Sequence, residues 1–106
     1  MTNHNMNTDT TMVALIAIAH KSRLAIFQVL VAAGTSGLSA GDISDQLKIA
    51  PSSLSFHLKE MSRACLISPR REGTSIYYSA VSETMGQVID FLVKNCLLGL
   101  KEFPAW

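Results

Sequence analysis

Between Ser52 and Arg71 the chain gathers side chains suited to meeting a polyanion. Ser52, Ser53 and Ser55 carry hydroxyls that can donate to or accept from base edges, with Phe56 and His57 directly after them. Lys59, Arg63, Arg70 and Arg71 supply cations for phosphate oxygens, contacts that position a protein without reading sequence. From Lys48 to Arg71 there are five basic residues and one acid, Glu60, in a chain whose net charge is only +1. The positive charge is therefore concentrated in one segment, as a local footprint on nucleic acid requires and a nonspecific coat does not.

The elements that must hold these groups can be read from spacing. Leu54, Leu58, Met61 and Cys65 fall at i, i+4, i+7 and i+11, an apolar stripe with Ser52, Phe56, Lys59 and Arg63 opposite it. Upstream, Ser39 to Lys48 reads as a shorter helix, with Ser39 as N-cap, Asp42 three residues on, and Ile43 and Leu47 facing inward. Ile49-Ala50-Pro51 is the tight turn between them, giving a helix-turn-helix whose second helix would enter a major groove. Leu66-Ile67-Ser68 and Ser75 to Ser79 are β-prone runs around Pro69 to Thr74, a hairpin with a long basic tip from which Arg70 and Arg71 would reach phosphates or a minor groove. Together these describe a winged helix-turn-helix.

The remaining elements complete a mainly α, α+β fold in the order α-α-α-α-β-β-α. Met12, Leu15, Ile16 and Ala19 mark a first helix that His20-Lys21-Ser22 interrupts. Leu24, Phe27, Leu30 and Val31 mark a second, ending toward Gly34. Gly37 lies in the following loop, and Leu38 is placed to pair with the hairpin as a third strand. The last helix starts at Ser82-Glu83 and carries Met85, Val88, Ile89, Leu92, Val93 and Cys96 to about Leu100. Residues 1–9 are expected to be a disordered tail, 10–101 the DNA-binding and dimerisation domain, and 102–106 a C-terminal tail, with Pro104 ending helix and Phe103 and Trp106 free to pack on a dimer.

At 106 residues, 48% apolar and 16% charged, the chain has more apolar surface than one small core covers. A symmetric homodimer through the first and last helices is expected, reading a near-palindromic duplex with half-sites about one helical turn (~34 Å) apart. No apolar run is long enough to span a membrane, and the polar N-terminus is not a secretory signal, so a cytoplasmic location is expected. Cys65 and Cys96 then remain thiols. With no glycine-rich phosphate loop, nucleophile-base arrangement or paired carboxylates, an enzyme is not expected, and no cofactor is implied. The competing reading is a winged helix used only for protein interaction.

Five segments in order, AHKSRLAIFQVL, GLSAGDISDQL, PSSLSFHLKEM, RREGTSIYY and FLVKNC, resemble the ArsR/SmtB bacterial repressors from about Ala14 to Leu98. The resemblance implies a dimeric winged-helix repressor that leaves its operator when a small inducer binds, often a metal ion or an arsenical. The residues constrain which. The family's cysteine pair is missing from Ser39-Ala40-Gly41-Asp42, and His4, His20 and His57 all lie outside the last helix, so neither family metal site is complete. Where the arsenical subgroup has adjacent cysteines this chain reads Asn95-Cys96-Leu97; two thiols across a dimer fall short of the three that trivalent arsenic prefers, and Cys96 is expected as a buried core thiol. Cys65 stands where the family usually has glycine, a place that commonly needs positive φ, and would be an oxidisable switch if Arg63 stabilised its thiolate. His57 is either a DNA contact or a packing residue. The inducer stays open between arsenical, metal, redox and organic chemistry.

Overall fold

The computed structural model describes residues 7–97. Helix α1 (Thr8–Ile18) is followed by α2 (Lys21–Ala33), a short 3-10 turn (Gly34–Ser36), β1 (Leu38–Ser39), α3 (Ala40–Leu47), α4 (Pro51–Arg63), β2 (Ile67–Glu72), β3 (Ser75–Ala80) and α5 (Ser82–Leu92), which runs into a π turn, Val93–Leu97. The antiparallel sheet has the order β1-β3-β2, so the expected third strand at Leu38 forms, opposite Tyr78. Ile26 and Leu30 of α2, Ile43 of α3, Leu54, Leu58 and Met61 of α4, Leu66, Ile67 and Val88 close around one core.

Helix α1 begins inside the stretch expected as a tail, because Asn7 and Thr10 form a capping box: Asn7 Oδ1 accepts from Thr10 N at 2.8 Å and Thr10 Oγ1 accepts from Asn7 N at 3.1 Å. Its inward face is Thr11, Ala14 and Ala17, while Met12, Val13 and Ile16 are 49%, 50% and 65% exposed. Eight consecutive apolar residues, Met12 to Ala19, carry no polar marker of orientation. The small residues face inward, where they let the helices approach closely. The expected break at His20-Lys21-Ser22 is real, with His20 Nδ1 capping α2 through Ser22 N at 3.2 Å.

The helix-turn-helix follows its capping chemistry. Ser39 Oγ accepts from Asp42 N at 3.1 Å and Asp42 Oδ2 accepts from Ser39 N at 3.4 Å. The helix ends at Lys48, left-handed with φ 57°, and Ser44 Oγ closes the turn on Ile49 O at 2.7 Å. Pro51 belongs to α4 as its first residue, where its fixed φ suits helix and its missing N–H costs no bond, so the turn lies one residue earlier than expected. At the other end Cys65 is not the last member of the apolar stripe. It sits exposed at φ 62°, where Cys65 N donates to Ser62 O and Leu66 N to Met61 O, both at 3.0 Å: a Schellman stop that normally takes glycine.

The wing is tighter than its residues suggest. Glu72 pairs with Ser75, leaving a two-residue turn at Gly73-Thr74 with Gly73 at φ 63°; Pro69, Arg70 and Arg71 pair with Tyr78, Tyr77 and Ile76. Pro69 had pointed to a long tip, but β2 is an edge strand, where a missing donor is tolerated. Helix α5 starts from Val81, whose N–H is held by Leu66 O at 2.8 Å, rather than from a Ser82 cap. Thr84 and Val88 face the core and Ile89 is 56% exposed. Cys96 in the π turn is exposed, not a core thiol. The expectations for 98–106, including Pro104 and Trp106, lie outside the described residues. Among those described, no single helix is long and apolar enough to cross a membrane.

Candidate nucleic-acid interface

Helix α4 is anchored on one side by Leu54, Leu58 and Met61, each 3% exposed or less, and this anchoring turns its other side outward. Ser52, Ser53, Ser55, Lys59 and Arg63 are exposed, and Phe56 is 57% exposed, an unusual placement for a phenyl ring unless something covers it. Lys59 makes no ion pair or side-chain hydrogen bond among the described residues, and Arg63 is held only loosely by Glu60, at 3.8 Å. Arg63 thus faces a carboxylate, and no interaction links it to the Cys65 thiol.

The two wing arginines part company. Neighbours on a strand point to opposite faces, so only one of them can project from each. Arg70 Nε donates to Glu72 Oε2 at 2.9 Å, its Nη1 and Nη2 donate to the carbonyls of Thr35 and Ser36 at 3.0 and 3.1 Å, and its guanidinium lies 5.5 Å from the Tyr77 ring centre. These bonds pin the wing to the 3-10 turn after α2, so each guanidinium nitrogen of Arg70, expected at a phosphate, already has a partner within the protein. Arg71, exposed on the other face, has no such partner among the described residues.

For His57 the structure shows the packing contact, one of its two expected roles. Its Nδ1 accepts from Arg23 Nε at 3.0 Å, its ring meets His20 edge-on at 4.8 Å between centres, and it is half-buried against α2. It packs the helix, with Nδ1 closed to a base; the bonding places the neutral ring's proton on Nε2. Burial first, then the Arg23 charge and then His20, lower its pKa below the ordinary imidazole range. The unfolded chain then binds this proton more readily than the folded one, so stability rises with pH. The contribution is complete above about pH 6.5 and is lost as pH falls below it toward the folded value. Denaturant midpoints between about pH 7.5 and pH 5 should fall for the native chain and fall less for His57→Gln.

Arg23, Tyr77 and the carbonyls of Thr35 and Ser36 were not singled out from the sequence, and His20 was read only as a helix break and a histidine outside the family's metal site. Arg23 lies 34 positions from His57 and Thr35 lies 35 from Arg70, so no local spacing could reveal either pair. Among the described residues no three His, Cys, Asp or Glu side chains gather as metal ligands.

A helix with an outward polar face, held by a shorter helix and flanked by a short hairpin, is the arrangement of a winged helix-turn-helix. The family profile described as a helix-turn-helix domain matches residues 18–70. The chain is 31% identical to the transcriptional activator HlyU of Vibrio cholerae over 81% of its own length and 77% of that protein's. A solved structure of HlyU superposes with a TM-score of 0.65 at 28% identity, covering 86% of this chain and 99% of that one. The fold also matches an ArsR-like transcriptional regulator from Rhodococcus (TM-score 0.73, 19% identity, 81% and 78% of the two chains) and a homodimeric winged helix-turn-helix DNA-binding domain from Mycobacterium bovis (0.67, 21%, 91% and 89%). The chain belongs to the ArsR/SmtB family. It is a DNA-binding regulator of transcription and not an enzyme; the interaction-only alternative is not favoured.

Proposed function

We propose that the chain acts as a homodimeric repressor on a near-palindromic duplex, with Ser52, Ser53, Ser55 and Phe56 at base edges and Lys59, Arg63 and Arg71 at phosphates. The observation that carries this reading is the outward face of α4: three hydroxyls, an uncovered ring and a cation without a partner among the described residues, all on the helix that the core orients. The dimer is supported by the apolar residues that α1 and α5 leave exposed, Met12, Val13, Ile16 and Ile89, on two helices that pack against each other. Two copies related by a two-fold axis would present two α4 helices and two wings to one duplex. Release by a small inducer belongs to the reading, and the exposed thiols of Cys65 and Cys96 are open to one that is thiol-directed.

The wing tests the division of roles. Arg71→Ala is expected to weaken binding to every duplex about equally and to lower the salt slope by about one unit per wing, as loss of a phosphate contact does. Arg70→Ala should instead free the hairpin from the Thr35–Ser36 turn, costing on the order of 1 kcal/mol of stability. Ser53→Ala should shift base preference. Fluorescence anisotropy at several salt concentrations, on the promoter fragment beside the chain's own gene and on base-substituted versions of it, reads the first and third; thermal unfolding reads the second. Equal salt slopes for native chain and Arg71→Ala would remove Arg71 from the interface.

A further inference from the structure

Arg23 stands where three observations meet. Its Nε donates to His57 Nδ1, its Nη1 donates to Ala17 O at 3.4 Å, and its guanidinium lies 5.7 Å from the centre of the Phe56 ring. One side chain of α2 therefore grips two consecutive residues of α4, one turned inward and one turned out. Helix α2 is itself fixed in the core by Ile26 and Leu30, both fully buried. The grip thus ties the outward face of α4 to a helix anchored in the core.

We propose that Arg23 is a positioning residue for the reading face of α4, and that its hydrogen bond to His57 makes this positioning sensitive to acid. The proposal rests on α4 being the helix that reads the duplex. Fixing Phe56 and His57 in one rotamer each removes alternatives that a ring and an imidazole at a helix surface would otherwise sample. Protonated His57 carries a hydrogen on Nδ1 and can no longer accept from Arg23 Nε. The groups around it, Arg23 from α2 and His20 from the turn before it, disfavour that added charge. Helix α2 also carries Lys21, and on α4 itself Lys59 and the Glu60–Arg63 pair lie within two turns; α1, which packs across α4, offers only Asp9 in its first turn. Protonation would release Arg23 from both residues. Leu54, Leu58 and Met61 stay buried throughout, so the helix persists while its presentation loosens.

The full chain is tested on the duplex it selects at about pH 7.5 and on a scrambled duplex of equal length, at constant salt. The ratio of the two affinities is the readout, because extra positive charge alone strengthens both. For the native chain the ratio should fall roughly tenfold between about pH 7.5 and pH 5, the equivalent of one charge-assisted hydrogen bond. Arg23→Gln should show the low ratio at both pH values with its thermal midpoint near native. His57→Gln, whose amide oxygen can accept from Arg23 without titrating, should keep the high ratio at both. A native ratio in Arg23→Gln at pH 7.5, or an undiminished acid response in His57→Gln, overturns the proposal. Histidine-ring nitrogen spectra of the free protein separate the two layers: a proton on His57 Nδ1 at neutral pH refutes the grip itself. An intact grip with ratios unmoved by Phe56→Ala and Ser53→Ala refutes α4 as the reading helix, and the proposal with it.

Discussion

Placing a carboxylate at Ile16 and another at Ile89 should convert the protein from dimer to monomer and weaken duplex binding by on the order of 10²–10⁴-fold, the gain that linking two half-site contacts normally supplies. The two positions are 65% and 56% exposed in the single chain, so neither substitution opens the core. Each should leave monomer stability within about 0.5 kcal/mol, as surface changes usually do. In a two-fold interface each carboxylate would be taken out of water in both copies, with no cation on the outward face of α1 to receive it. Sedimentation equilibrium and anisotropy on one duplex read both effects. A Ile16→Asp/Ile89→Asp chain that remains dimeric would place the interface elsewhere.

The second large effect concerns the wing's support. Gly37 has φ 72°, and a Cβ there would lie 2.5 Å from the Tyr78 carbonyl oxygen and 2.8 Å from Ser79 Oγ. The carbonyl belongs to β3, the central strand, held on one side by β1 and on the other by β2, so it cannot yield. Gly37→Ala should therefore cost about 2–4 kcal/mol, combining left-handed strain with overpacking. Gly34→Ala is the control: its φ is 69° with ψ −152°, but nothing lies within 4 Å of the added carbon, so only the backbone strain, on the order of 1–3 kcal/mol, remains. Thermal unfolding of the two variants should differ by roughly 5–20 °C. Equal losses would show that the close approach of the Gly37 loop to β3 contributes nothing.

What could be read from the residues follows from where their constraints are local. Helix α4 declared both faces because Ser52, Phe56, Lys59 and Arg63 alternate with Leu54, Leu58 and Met61 at helical spacing, and α3 declared its start through Ser39 and Asp42. The left-handed backbone at Cys65 was legible from the resemblance to glycine-bearing relatives. Helix α1 hid its orientation in an unbroken apolar run. The wing was misjudged in length because proline signals a turn in a chain and becomes acceptable in a strand only once that strand is known to be an edge. The roles of Arg70 and His57 turned on carbonyls and a guanidinium more than 30 positions away, which only the folded chain brings near. The site's cations were thus found by composition, and the distinction between those bonded within the protein and those left without a partner among the described residues came from geometry.

The most direct test of the account is selection of duplexes by the full chain from a random pool, followed by sequencing of what is retained. Two inverted copies of one short motif, centred about one helical turn (~10 base pairs) apart, are expected, and Ser53→Ala should alter the motif without altering the spacing. Enrichment of a single unpaired motif, or of no motif at all, would contradict a two-fold pair of α4 helices reading DNA.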